Sequence, residues 1–136
     1  MPRLVALVAL VLLCIAGACG GSAFTTPPAA SYEVEAHQFT FDDSSASLSG
    51  ASVTKDFFPG TNAQPLLGRF FIDGDFVPRS PATVVLSNQL WNERLGASAT
   101  VIGRTVSIDD RRWVVVGIAP KGFDVPPGAQ FWIPKR

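Results

Sequence analysis

The stretch from Ala82 to Gly117 constrains the fold most, because it carries strand, helix and hairpin signals in immediate succession. Thr83 to Leu86 is a β-branched apolar run, Ser87 is an N-cap residue, and Gly96 stands where a helix ending calls for a left-handed residue. The spacing predicts a helix over about 88–95, with Leu90, Trp91 and Leu95 on one face and Asn88, Gln89, Asn92 and Glu93 left to solvent. Such a face must lie on a sheet. Thr105 to Ile108 and Trp113 to Val116 supply it as two β-rich runs flanking Asp109-Asp-Arg-Arg112, which predicts a hairpin over about 105–118. Asp-Asp is a weaker tight-turn signal than Asn-Gly, so a longer loop stays open at the tip. The fold class is therefore α+β, a small mixed or antiparallel sheet with one short packed helix.

Leu4 to Ala18 is apolar throughout behind a single Arg3, and no acidic residue precedes Glu33. This is the layout of a signal peptide over residues 1–18. Ile15-Ala-Gly-Ala-Cys19 resembles a bacterial lipobox, which makes Cys19 a candidate lipidation site. Ala16-Gly-Ala18 also suits ordinary signal peptidase, and the apolar run read through to Phe24 approaches the length of an uncleaved anchor. All three readings place the domain outside the cytoplasmic membrane. The Pro, Ser and Thr that follow predict a flexible tether over 19–31 and a domain over 32–136.

Both cysteines, Cys14 and Cys19, belong to the leader, so the domain is expected to have neither a disulfide framework nor a cysteine nucleophile or metal cage. At 47% apolar and 16% charged residues the chain is one that folds. Without Arg3 its formal net charge is −1, and the basic pairs Arg111-Arg112 and Lys135-Arg136 read as a solvated hairpin tip and chain end, so nothing points to nucleic acid. His37 is the only histidine and is read as a surface or strand residue. Asp73 and Asp75 lack the further oxygen ligands a calcium loop needs and are read as turn residues.

Tyr32 to Phe41 alternates irregularly, which predicts a strand with a bulge. Asp42 to Ser45 is then a turn, Ala46 to Thr54 a returning strand, and Lys55 to Gly60 a second turn. Most of the ten phenylalanines are expected in the core.

Leu66-Leu-Gly-Arg-Phe-Phe71, Val84-Val-Leu-Ser-Asn-Gln-Leu-Trp-Asn-Glu-Arg-Leu-Gly96, Val101-Ile-Gly-Arg-Thr-Val-Ser-Ile108, Trp113-Val-Val-Val-Gly-Ile-Ala-Pro-Lys-Gly-Phe123 and Phe131-Trp-Ile-Pro134 occur in that order. In order and spacing, this set resembles the periplasmic core domain of MacB-type ABC transporter permeases, over about Ala51 to Pro134. The resemblance implies an extracytoplasmic domain of a permease, with no catalytic residues and no cofactor to carry over. It makes Gly68, Gly96, Gly103 and Gly117 turn or cap candidates, and Trp91, Trp113 and Trp132 core anchors with an N–H to satisfy. The short leader, and an end just after Phe131-Trp-Ile-Pro134, lead to the expectation of a truncated product, part of a split permease, or a stand-alone exported domain.

The reading is thus a non-catalytic domain that docks onto other envelope or permease proteins of an efflux or lipoprotein-export system, tied to the membrane by lipid or N-terminal anchor. The alternative is a lipoprotein binding a small apolar ligand or peptide. A hydrolase would have to rely on a carboxylate pair. If the sheet lacks strands, Val114-Val-Val116 is expected to be an exposed edge.

Overall fold

The computed structural model describes Phe24, Pro27, Pro28 and residues 31–136. The predicted signal peptide over 1–18 and the candidate lipidation site Cys19 lie outside the described residues, as does most of the predicted tether.

Strands β1 (Tyr32–Phe41) and β2 (Ser44–Val53) form a long antiparallel hairpin in unbroken register, from Tyr32 opposite Val53 to Phe41 opposite Ser44. The expected bulge is absent. The irregular alternation in β1 has another cause: its second half enters the core through Phe39, while its first half stays outside, with Val34 44% exposed. The turn is the two residues Asp42-Asp43, so Ser44 and Ser45 belong to β2.

The predicted turn over 55–60 is instead a short helix, α1 (Phe57–Thr61). Pro59 fits its first turn, where an amide N–H has no intrahelical partner, and Asn62 ends it at φ 60°. Strand β3 (Leu67–Gly68) and a 3-10 turn over Asp73–Phe76 follow.

Strand β4 (Thr83–Leu86) leads into α2 (Asn88–Arg94), which ends one residue short of the prediction. The Ser87 hydroxyl accepts the Leu90 N–H as its N-cap, and Gly96 adopts φ +69° just past the end. Strands β5 (Thr105–Ile108) and β6 (Arg111–Ile118) form the predicted hairpin. Its tip is tighter than the sequence suggests, because Asp109 and Asp110 make a two-residue turn at φ 52° and 64°, and Arg111 and Arg112 already belong to β6.

Strand β7 (Phe131–Pro134) completes the sheet. Around it the order is β1, β2, β7, β4, β6, β5, and β5 returns to β1 through Phe39 opposite Ile108 and Thr40 opposite Ser107. The expected small sheet is therefore a closed six-stranded one, with parallel pairs β2–β7 and β4–β6 among antiparallel neighbours. Closure also corrects the expected exposed edge: Val114 pairs with Thr83 on one side and Thr105 on the other.

Two apolar clusters follow from the period-2 alternation of the strands. One draws residues from all six closing strands, among them Phe39, Leu48, Leu86, Val106, Val115 and Phe131, and fills the inside of the barrel. Leu90 of α2 and Leu95 at its C-terminal cap join it, with Trp91 packed alongside. The other lies against the outer face, where Ala51, Val53, Val85 and Trp132 meet Phe57, Phe58, Phe123 and Val125. With a cluster on each side, β4 and β7 are buried at every residue. Trp132 donates Nε1–H to the Val125 carbonyl at 3.0 Å and Trp91 donates to the Ser98 carbonyl at 3.0 Å. The third expected anchor, Trp113, is buried with no hydrogen-bond partner for its Nε1.

Candidate functional site

The outer cluster does not stop at the core. It runs to the surface as an aromatic shelf built by the segment from Pro65 to Val77. Phe70 stacks on Phe58 with ring centroids 4.0 Å apart and planes 8° from parallel, and Phe71 reaches Phe58 at 5.8 Å and Phe76 at 5.9 Å. The large apolar side chains left most exposed here are Leu66, Ile72 and Val77, at 49%, 56% and 51%. A groove of about 390 Å³ crosses the shelf between Phe58, Pro59, Ala63, Pro65, Phe70 and Ile72.

Backbone bonds lay this segment along the second half of β6. Leu66 N–H meets the Ile118 carbonyl at 2.7 Å, and Arg69 N–H meets the Val116 carbonyl at 2.8 Å. Gly117, expected at a turn or cap, sits within β6 directly under Arg69, where a Cβ would overlap the Arg69 carbonyl. Its role is close approach of two backbones.

A buried carboxylate holds the far end of the shelf. Asp75 Oδ2 accepts from Arg69 Nη1 at 2.8 Å and from the Ile72 N–H at 2.8 Å, and the Asp75 side chain is almost wholly enclosed. Burial alone would raise this carboxyl, but the Arg69 hydrogen bond, the Ile72 N–H and the guanidinium charge outweigh it, so it lies below the usual carboxylate value. The sequence reading took Asp73 and Asp75 together as turn residues. The structure separates them: Asp73 is exposed, whereas Asp75 ties residues 69–75 into one rigid loop.

The other candidates do not converge on this shelf. His37 is on β1, and its Nδ1 lies 2.5 Å from Asp109 Oδ2 while its ring rests 5.6 Å from Phe131. Asp109 Oδ1 also accepts the Gln38 N–H at 2.9 Å, and these two bonds, His37 first, hold its carboxyl below the usual value. The pair fastens the hairpin tip to β1. Lone sequence positions give no sign of it, since His37 and Asp109 are 72 residues apart. A polar cleft of about 370 Å³ lies between Ser87, Asn88, Gln89, Asp124 and Gln130. There the Ser87 hydroxyl accepts from the α2 N-terminus and Asp124 Oδ1 accepts the Gly128 N–H, so these two oxygens hold backbone. Among the described residues, no three His, Cys, Asp or Glu side chains gather at one point, and no helix is long and apolar enough to cross a membrane.

Comparison with known proteins bears on what this fold is. The sequence model of the MacB-like periplasmic core domain matches residues 21–136, a longer span than the motifs alone suggest. The fold is similar to the extracellular domain of the noncanonic ABC-type transporter YknZ from Gram-positive bacteria, with TM-score 0.64 and 14% identity over 76% of this chain and 52% of that one. It is also similar to the periplasmic region of MacB from Actinobacillus actinomycetemcomitans, with TM-score 0.63 and 14% identity over 90% of this chain and 54% of that one. The chain thus spans about half the length of the solved structures it resembles. No curated protein matches the sequence.

Proposed function

The chain belongs to the MacB-like periplasmic core domain family, and from that premise we propose that it is a non-catalytic, extracytoplasmic module that works by docking onto permease or other envelope proteins of an efflux or lipoprotein-export system. The observation that carries this reading is the aromatic shelf. Ile72 stands out from the loop that the Arg69–Asp75 pair ties together, with Leu66 and Val77 exposed on either side of it, and a pre-organised loop loses little backbone entropy when a partner covers it. Arg69 and Asp75, the charged pair at this shelf, are engaged with each other and with backbone, and the surface beside them is apolar, which supports a binding role. Lipidation at Cys19 would tether the domain to the membrane; its test is a mass gain that Cys19→Ala abolishes.

Photo-crosslinking tests the docking. With a photoreactive residue in place of Ile72, the whole chain is expected to crosslink in cells to a MacB-type permease, or to an envelope protein that copurifies with one. Equal yields from Ile72 and from a control at Glu93 on α2 would overturn the reading, as would none from either. The alternative, a lipoprotein binding a small apolar ligand, has one observation in its favour: the groove of about 390 Å³ falls within the size range of small-molecule sites. A copurifying fatty acid or peptide, lost in Phe70→Ala, would select it.

A further inference from the structure

Among the described residues, no strand covers one edge of the first half of β1. The tight turn at Asp42-Asp43 makes Phe41 opposite Ser44 a hydrogen-bonded pair, so Phe39, His37, Glu35 and Glu33 bond to β2 in alternation. The backbone groups of Gln38, Ala36 and Val34 then point the other way. Gln38 shows the direction, since its N–H meets Asp109 Oδ1 and its carbonyl accepts the Asp109 N–H, each at 2.9 Å. Strand β5 reaches no further than Phe39 and Thr40. Among the described residues, no backbone partner meets Val34 or Ala36 on that side, and both residues are exposed.

We infer that this edge, from Tyr32 to Ala36, takes up an extended segment of a partner protein as an added strand, and that the segment carries lysine or arginine opposite Glu35. Charge selects the occupant. An antiparallel pair of two copies centred on Val34 would place Glu33 opposite Glu35 twice, and like charges in direct opposition destabilise a strand pair. A second copy is therefore disfavoured. Glu33 already accepts from Lys135 Nζ at 2.6 Å, which shows that this face holds an ammonium. Glu35 has no such cation among the described residues. On the opposite face Val34 offers an apolar position between the two acids, so the matching segment alternates basic and apolar residues. This inference does not rest on the docking shelf, which lies on other residues.

The test uses two synthetic peptides on the whole chain, Thr-Val-Lys-Val-Lys-Thr and the same sequence with glutamate for lysine. The lysine peptide is expected to bind at least about tenfold more tightly and to slow amide exchange at Val34 and Ala36 by about tenfold or more, since these amides gain a partner. Val34→Pro removes an N–H that β2 does not use, so it should keep the melting temperature and lose the binding. Glu35→Lys should reverse the preference between the peptides, and this holds as a test even if the proline variant unfolds. Equal binding of the two peptides, no binding, protection elsewhere in the sheet, or a dimer formed through this edge at neutral pH would each overturn the inference.

Discussion

Gly117 Cα lies directly beneath the Arg69 carbonyl, so close that no side chain fits between β6 and the strand that leads into the aromatic shelf. The shelf therefore depends on a hydrogen atom at one position of a barrel strand. Gly117→Ala should force Arg69 off the Val116 carbonyl and cost about 1–3 kcal/mol, as overpacking does in a close-packed interior. Gly74, in the exposed 3-10 turn, has nothing within 4 Å of where its Cβ would be. Gly74→Ala should leave stability within about 0.5 kcal/mol. Urea denaturation of the two variants side by side checks the contrast.

The two buried tryptophans differ in one bond. Trp132 Nε1 donates to the Val125 carbonyl, whereas the buried Nε1 of Trp113 has no partner. Trp132→Phe thus loses packing volume and orphans a carbonyl, an expected cost of about 2–4 kcal/mol. Trp113→Phe loses volume but also removes an unsatisfied donor, and should cost at least about 1 kcal/mol less. If the two variants have equal unfolding midpoints, Trp113 finds a hydrogen bond in solution.

What the sequence makes legible is local. Ser87, the 88–95 periodicity, Gly96 and the two β-rich runs specify β4, α2, β5 and β6 because their signals lie within a few residues of the structure they set. Barrel closure is not legible in this way: it rests on Phe39 meeting Ile108 and on Gly50 meeting Phe131, pairs some 70 to 80 residues apart. Helix α1 was hidden by Pro59 and Gly60, which read as a turn unless Phe57 and Phe58 are known to be buried. The shelf was half visible. Its aromatic residues were present as Arg69-Phe-Phe71, but the separate roles of Asp73 and Asp75 depend on which carboxylate the fold encloses.

At the hairpin tip, Asp110 carries φ 64° without any hydrogen bond from its side chain, while Asp109 earns its place by holding His37 and Gln38. The two substitutions should therefore move in opposite directions. Asp110→Gly relieves a left-handed conformation and should stabilise the chain by up to about 1 kcal/mol. Asp109→Asn keeps a turn-compatible residue but gives up the carboxylate that faces His37, and should loosen the β1–β5 seam. Amide exchange at Phe39 and Ile108 reads the seam; faster exchange in Asp109→Asn with none in Asp110→Gly is the expected pattern.

The Arg69–Asp75 pair makes a prediction about pH whose sign can be worked out. Its folded carboxyl lies below the ordinary value, so the unfolded chain binds that proton more readily than the folded one. The stability it contributes is therefore fully present above the unfolded carboxylate range, near about pH 4, and is lost as pH falls through that range toward the lower folded value. Asp75→Asn removes the charge that Arg69 and the Ile72 N–H bind, and at neutral pH should cost about 1–2 kcal/mol, since half-exposed Arg69 can turn to water. Because protonation removes the same charge from the native chain, the gap between native and variant should shrink at low pH. Urea midpoints for both at pH 7 and pH 3 measure that gap. A difference that stays constant would mean that the carboxylate charge contributes nothing to holding the shelf, leaving its aromatic stacking to fix the loop alone.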